Sequence, residues 1–240
     1  MSKCLLIDIE TSPILIWAWG IYEVNALKVE KHSELISFAY KFLGDKHVRV
    51  HSLRNNSTQG ILERLVAILG EADIVIGHNS KSFDIRMINA FLVHNGFKPT
   101  KPYRQIDTLQ LARQKFKFAS NHLNDLGEYL GCGKKVKTGG MDLWFDCMAG
   151  DKKAWKKMEE YNSQDVNLLE KVYEKLMPWS EHQPEVYAGM FCQKCGGEVQ
   201  FRGGYENKTF IGKRYQCKSC FSWGVSNKRF KTEINEYIKN

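Results

Sequence analysis

Cys4-Leu5-Leu6-Ile7-Asp8-Ile9-Glu10-Thr11 is an apolar run interrupted by carboxylates. Residues 3–9 have the composition of a central strand covered on both faces. Asp8 and Glu10 stand two apart near its C-terminal end, so both side chains fall on one face. A carboxylate in a buried strand costs several kcal/mol unless it is paired, protonated or coordinated to a cation. No basic residue adjoins these two in sequence. The alternative at this point is a strand that ends by residue 7, with both acids in water.

Outward from that run, Ile14–Ile21, Leu35–Phe42 and Val48–Leu53 read as further strands. Ile61, Leu65, Ile68 and Leu69 keep helical spacing, and Asp73–Gly77 (DIVIG) is a short buried strand followed by a helix through about His94. Arg104–Thr108 is a further strand. Helices are predicted over Leu109–Lys115, Leu123–Leu130, Leu143–Met148 and Ala154–Leu176, where Pro178 stops the chain from continuing the last one. Gly131–Gly140 is a glycine- and lysine-rich loop, and residues 179–189 read as a linker. Meandering strands followed by alternating strands and helices imply an α/β domain over residues 1–180, a mixed sheet flanked by helices.

Two more acids sit where apolar residues belong. Ala154, Met158, Tyr161, Asp165, Leu168, Val172 and Leu176 recur at intervals of three and four, so Asp165 occupies the inner face of the last helix with Tyr161 one turn before it. Asp84 stands one turn before Ile88 on the face that continues through Phe91 and Leu92, although an acid that opens a helix is also favoured by the helix dipole. Asp8, Glu10, Asp84 and Asp165 together make an all-oxygen donor set, suited to Mg²⁺ or Mn²⁺ rather than zinc. Two such ions about 3.5–4 Å apart are a known device for displacement at phosphorus. The pattern points to phosphodiester hydrolysis.

Asp8-Ile9-Glu10-Thr11, Gly77-His78-Asn79-Ser80-Lys81-Ser82-Phe83-Asp84 and Tyr161-Asn162-Ser163-Gln164-Asp165 resemble, in order and separation, the three motifs of the DEDD 3′-to-5′ exonuclease superfamily. That superfamily has a ribonuclease-H-like fold, and the resemblance covers residues 3–178. Tyr161, four before the last acid, resembles the tyrosine subgroup; the histidine subgroup would place His at position 160, where Glu160 stands. The second motif is similar to that of family B polymerase proofreading domains. Gly139–Pro178 looks like the stand-alone exonucleases of bacteria and phages. The resemblance implies that Asp8, Glu10 and Asp165 hold a first metal, that Asp8 bridges to a second, and that Asp84 supports the second directly or through water. It implies that Tyr161 orients the attacking water, its phenol being a poor base at neutral pH. Thr11 and Asn79 would contact the terminal nucleotide; Phe83 either packs near it or fills the core. Asp107, in Asp107-Thr108-Leu109, reads as a helix cap rather than a fifth ligand. Lys134, Lys135 and Lys137 either touch phosphate or are a solvated loop.

Cys192-x-x-Cys195 and Cys217-x-x-Cys220, 21 residues apart, are a strong zinc signature, two thiolates from each hook completing a tetrahedron. A Cys4 zinc ribbon is expected over 190–226, followed by a basic tail over 227–240. So short a segment buries little core, so one structural Zn²⁺ would supply its folding energy. Of the chain's net charge of +8, residues 190–240 carry +6, with ten Lys or Arg against four acids. Phe201, Tyr205, Phe210, Tyr215, Phe221 and Trp223 are interspersed with those cations. The mixture suits a single strand, bases on aromatics and phosphates beside cations, while some of the rings must serve as the ribbon's own core. A replication or repair protein is the other partner open to it.

Length and composition bound the rest. The chain has 240 residues, 43% apolar and 26% charged, average values for a folded globular protein with one full core and a small appendage. Seven cysteines, four of them in two close hooks, argue against a secreted disulfide framework. MSKCLLIDIETS fits neither a signal peptide nor a membrane span. The expected setting is the reducing cytoplasm of a bacterial or phage-infected cell, with no membrane partner. The expected activity is 3′-to-5′ hydrolysis of single-stranded or frayed DNA, releasing nucleoside 5′-monophosphates. An RNA 3′-end trimming nuclease and a non-catalytic nucleic-acid-binding scaffold remain as alternatives.

Overall fold

The computed structural model describes residues 3–22, 24–134, 138–180, 192, 194–195, 197–206 and 210–230. Lys135, Lys137, the 181–189 part of the expected linker and the tail from 231 onward lie outside the described residues. The chain divides into one compact unit over Lys3–Trp179 and a second that includes 180–240.

The first unit is built on a five-stranded sheet. Its strands are β1 (Cys4–Thr11), β4 (Leu35–Phe42), β5 (Arg49–Ser52), β6 (Ile74–Gly77) and β7 (Arg104–Asp107), in the order β5-β4-β1-β6-β7. β1 runs antiparallel to β4 and parallel to β6, so the sheet is mixed and β1 is its centre. The alternation along β1 sorts its side chains between two cores. Leu5, Ile7 and Ile9 pack with the buried faces of α1 (Thr58–Glu71) and α2 (Asp84–His94), whereas Cys4 and Leu6 pack with Val166, Leu169 and Val172 of α6 (Lys152–Leu176). Asp8 and Glu10 share the parity of Cys4 and Leu6, which assigns them to the α6 face.

α6 is the long helix predicted from its periodicity, about 37 Å at the usual rise. Asp151 caps it by accepting the N–H groups of Lys153 and Ala154. It ends at Leu176 in a 3-10 turn, Met177–Trp179, which holds Pro178. α3 (Thr108–Lys115) and α4 (Leu123–Tyr129) join the same core, and α5 (Asp142–Met148) packs on α6 through Leu143 and Cys147. The absence of a side chain at Gly127 of α4 allows close approach, since a Cβ there would lie 2.7 Å from Leu168 Cδ1.

One expectation needs correction. The predicted strand Ile14–Ile21 is only Leu15–Trp17, β2, and it pairs with β3 (Lys28–Lys31) in a separate two-stranded sheet, not in the main one. Both strands are exposed along their whole length. Apolar content reads as burial in a sequence, but none of these side chains reaches a buried cluster.

In the second unit β8 (Val199–Glu206), β9 (Phe210–Cys217) and β10 (Trp223–Phe230) form an antiparallel sheet in the order β10-β9-β8. β10 continues to Phe230, past the end at 226 expected for the ribbon. Tyr215 is buried in this sheet, and Gly224 opposite it has no room for a Cβ, which would fall 2.3 Å from the ring.

Candidate active site

Asp8 and Glu10 on β1 meet Asp165 on α6. Each of the three offers a carboxylate oxygen within 4.8 Å of the other two. Asp165 is buried, while Asp8 and Glu10 are partly open, as expected where a strand runs out of its core. Three carboxylates at this range repel one another, and their field is felt by Tyr161. Its phenol is driven well above the ordinary range, first by burial and then by the charges of Asp165, Glu10 and Asp8. It stays protonated and hydrogen-bonded to Asp165, so it is a donor and not a base. Trp144 of α5 stands edge-on to the Tyr161 ring at 6.1 Å between centroids. An all-carboxylate donor set with concentrated negative charge fits a hard divalent cation.

Asp84 is not one of the three. It opens α2 as a buried residue, and its Oδ1 accepts the backbone N–H of Ile9 at 3.3 Å. β6 accompanies β1 only from Cys4 to Leu6, so beyond that point β1 has an open edge, which Asp84 meets from the side. Asp84 thus lies against the segment between Asp8 and Glu10.

The loop that leads into α2 is fixed from below. Asp107 caps α3 through the N–H groups of Leu109 and Gln110, as read from the sequence, and it also accepts the N–H groups of Asn79 and Lys81. His78 is held by Thr108 Oγ1 and the Asn121 carbonyl, each at 2.9 Å. Gly77 is required by the turn, because a Cβ would lie 2.4 Å from Ser80 Cβ. Asn79 adopts the left-handed conformation, with φ of 63°, which asparagine tolerates better than most residues, and it is exposed. Phe83 is 43% exposed, which removes the core role left open for it. Thr11 is half-buried at the end of β1.

Asn162 donates to Asp8 and accepts from Ser37, contacts that residue patterns did not assign. The only signal was an amide adjoining the inner stripe of α6.

In the second unit the four sulfurs of Cys192, Cys195, Cys217 and Cys220 lie within 4.8 Å of one another. Cys192–Cys220 and Cys195–Cys217 are 3.6 and 3.5 Å apart, too far for a disulfide and close to the edge of about 3.8 Å of a tetrahedron with Zn–S of about 2.3 Å. Backbone N–H groups point at the sulfurs, Lys194 at Cys192 and both Ser219 and Cys220 at Cys217. The Cys220 thiol is lowered to about 6, chiefly by the Ser222 hydroxyl at 3.0 Å. The cluster fits a zinc ion.

Among the described residues no helix is long and apolar enough to cross a membrane. Residues 5–177 match the family model of the RNase_H superfamily. No curated protein matches the chain. Among solved structures, the family B DNA polymerase from the hyperthermophilic archaeon Pyrobaculum calidifontis is similar over 74% of this chain, at 16% identity and a TM-score of 0.55. The match spans 25% of that polymerase, and at this identity it speaks for the fold alone.

Proposed function

The chain belongs to the RNase_H superfamily, and from that membership we propose that it is a cation-dependent 3′-to-5′ exonuclease of the tyrosine DEDD type, releasing nucleoside 5′-monophosphates from single-stranded or frayed DNA. The observation that carries the reading is the meeting of Asp8, Glu10 and Asp165 beside a protonated Tyr161. Asp8, Glu10 and Asp165 would hold the first of two Mg²⁺ or Mn²⁺ ions, with Asp8 shared by the second and Asp84 supporting it. Such ions, when bound, activate a water and steady the leaving oxygen at phosphorus.

The residues of the chain supply the positioning. A neutral phenol is a poor base at neutral pH, so the Tyr161 hydroxyl orients the attacking molecule by hydrogen bonding. Thr11 and the exposed Asn79 contact the terminal nucleotide, and the exposed ring of Phe83 offers a face to its base. In the ribbon Tyr215 serves the core, whereas Phe221 and Trp223 are exposed and able to stack on bases. The +6 charge of residues 190–240 favours a nucleic-acid strand over a replication or repair protein as the ribbon's partner.

The test is digestion of 5′-labelled DNA and RNA strands of matched sequence with Mg²⁺, Mn²⁺ or EDTA. Stepwise shortening from the 3′ end, faster on DNA and absent in EDTA, is expected. Internal cuts, 5′-end attack or undiminished cleavage in EDTA would overturn the mechanism. Faster loss of RNA would reassign the substrate to RNA 3′ ends.

A further inference from the structure

Behind Asp8 a buried amide is held at both ends. Asn162 follows Tyr161 on α6 and is 0% exposed. Its Nδ2 donates to Asp8 Oδ2 at 2.7 Å and to the Asp8 backbone carbonyl at 3.3 Å, and its Oδ1 accepts from Ser37 Oγ at 2.8 Å. The orientation of the amide is forced. An ionised carboxylate and a carbonyl only accept, so the NH₂ must face Asp8, the amide oxygen must face Ser37, and the Ser37 hydroxyl must donate. Ser37 is itself buried on β4, in register with Glu10 across the β1–β4 pair.

We propose that Asn162, braced by Ser37, is a positioning residue that holds the Asp8 carboxylate in the orientation needed to take a divalent cation. The inference rests on reading Asp8, Glu10 and Asp165 as a cation site. Three carboxylates within 4.8 Å repel one another, so the Asp8 carboxylate, less buried than that of Asp165, keeps one orientation only with hydrogen-bond partners to hold it. Asn162 grips it twice, at a carboxylate oxygen and at the carbonyl of the same residue, and the pair of bonds fixes the carboxylate plane relative to the strand. The packing of α6 does not itself require an amide at that depth. A buried polar group is costly unless its bonds are made, and the bonds made here lead to Asp8. Hydrogen-bonding partners behind metal ligands typically matter by about 10- to 100-fold in affinity.

The test is calorimetric titration of the zinc-loaded full chain with MnCl₂, together with thermal melts in the absence of Mn²⁺. The proteins are the wild type, Asp8→Asn, Asn162→Leu, Ser37→Ala and the double variant of the last two. Asn162→Leu, which keeps the branching and the number of side-chain heavy atoms, should bind Mn²⁺ about 10- to 100-fold more weakly, and Ser37→Ala more weakly by a smaller factor. Adding Ser37→Ala to Asn162→Leu should change Mn²⁺ affinity no further, because the two act in series; independent packing roles would give additive losses of melting temperature and no change of affinity. Wild-type Mn²⁺ affinity in folded Asn162→Leu overturns the proposal, and should that variant not fold, wild-type affinity in Ser37→Ala does so. If Asp8→Asn abolishes binding while these variants do not weaken it, only the positioning role falls. If the wild type binds no Mn²⁺ at the acids, the cation-site reading falls and this inference with it.

Discussion

Single residues separate charge, proton and ring at the site. Asp8→Asn and Asp165→Asn each remove one charge from a crowded group, so both should lose activity by orders of magnitude while melting at the same temperature or slightly higher in EDTA. Near-normal degradation by either folded variant would exclude the acids from the chemistry. Tyr161→Phe keeps the ring against Trp144 and loses only the hydroxyl, so Mn²⁺ affinity should hold while kcat falls. A loss of affinity equal to that of the acid variants would place Tyr161 among the ligands. The acids were legible in the sequence because parity on a strand and period on a helix assign a face, and a carboxylate on a covered face stands out. Asn162 was not, since an asparagine beside the inner stripe of a helix reads as a boundary residue until its partners on β1 and β4 are known. Phe83 misleads in the opposite sense, an aromatic that composition assigns equally to core or ligand and that stands half in water.

Among elements, α6 binds the sheet by polar as well as apolar contacts. Lys41 on β4 and Glu170 on α6 form an ion pair at 2.7 Å, both nearly covered. Removing one partner strands a charge, so Lys41→Met should destabilise by about 3–5 kcal/mol, whereas the pair Lys41→Met with Glu170→Leu should come close to wild type. Urea titrations of the four proteins in the cycle measure this, and equal losses for the single and double variants would show that the pair contributes only packing. Tyr173, further along the same helix, is buried, and burial raises its phenol to about 12. Unfolded, it ionises near pH 10, so between about pH 10 and 12 unfolding releases its proton. Stability should therefore fall with rising pH there by about 1.4 kcal/mol per unit more steeply in the wild type than in Tyr173→Phe. Parallel pH profiles would refute the shift. The central strands and this helix were readable from periodicity. β3 was not, because Lys28-Val29-Glu30-Lys31 is polar, and β2 was misplaced because the sequence does not say which apolar strand lacks a cover.

For the whole molecule, the two clusters of candidate metal ligands are divided along the chain. The cysteine cluster lies beyond residue 180 and residues 190–240 carry +6 of the net +8, whereas the acids of the candidate site lie before residue 180. A chain truncated near Glu185 should therefore cleave a very short oligonucleotide almost as fast as the full chain, and bind a long single strand more weakly. Every phosphate that the shortened chain no longer neutralises should flatten the slope of log K against log salt by about 0.7. An unchanged affinity and slope would turn the ribbon toward a protein partner. If zinc held by the four cysteines supplies the order of so small a sheet, chelating it and restoring Mg²⁺ should reproduce the truncation.

The β2–β3 ribbon has a consequence for the protein in concentrated solution. Trp19 is 92% and Tyr22 85% exposed, with Trp17, Ile21 and Leu27 also in water, and a two-stranded sheet leaves the outer edge of each strand open to a neighbouring chain. At low ionic strength the net charge of +8 keeps copies apart. Salt screens that repulsion, and sulfate in addition strengthens apolar contact, so the second virial coefficient should pass from positive to negative as ammonium sulfate is added. Trp19→Ser together with Ile21→Ser should move that crossing to higher salt with little change in melting temperature, because neither side chain belongs to the core. Light scattering at graded concentrations measures the crossing, and an unmoved crossing would assign the adhesion to another face.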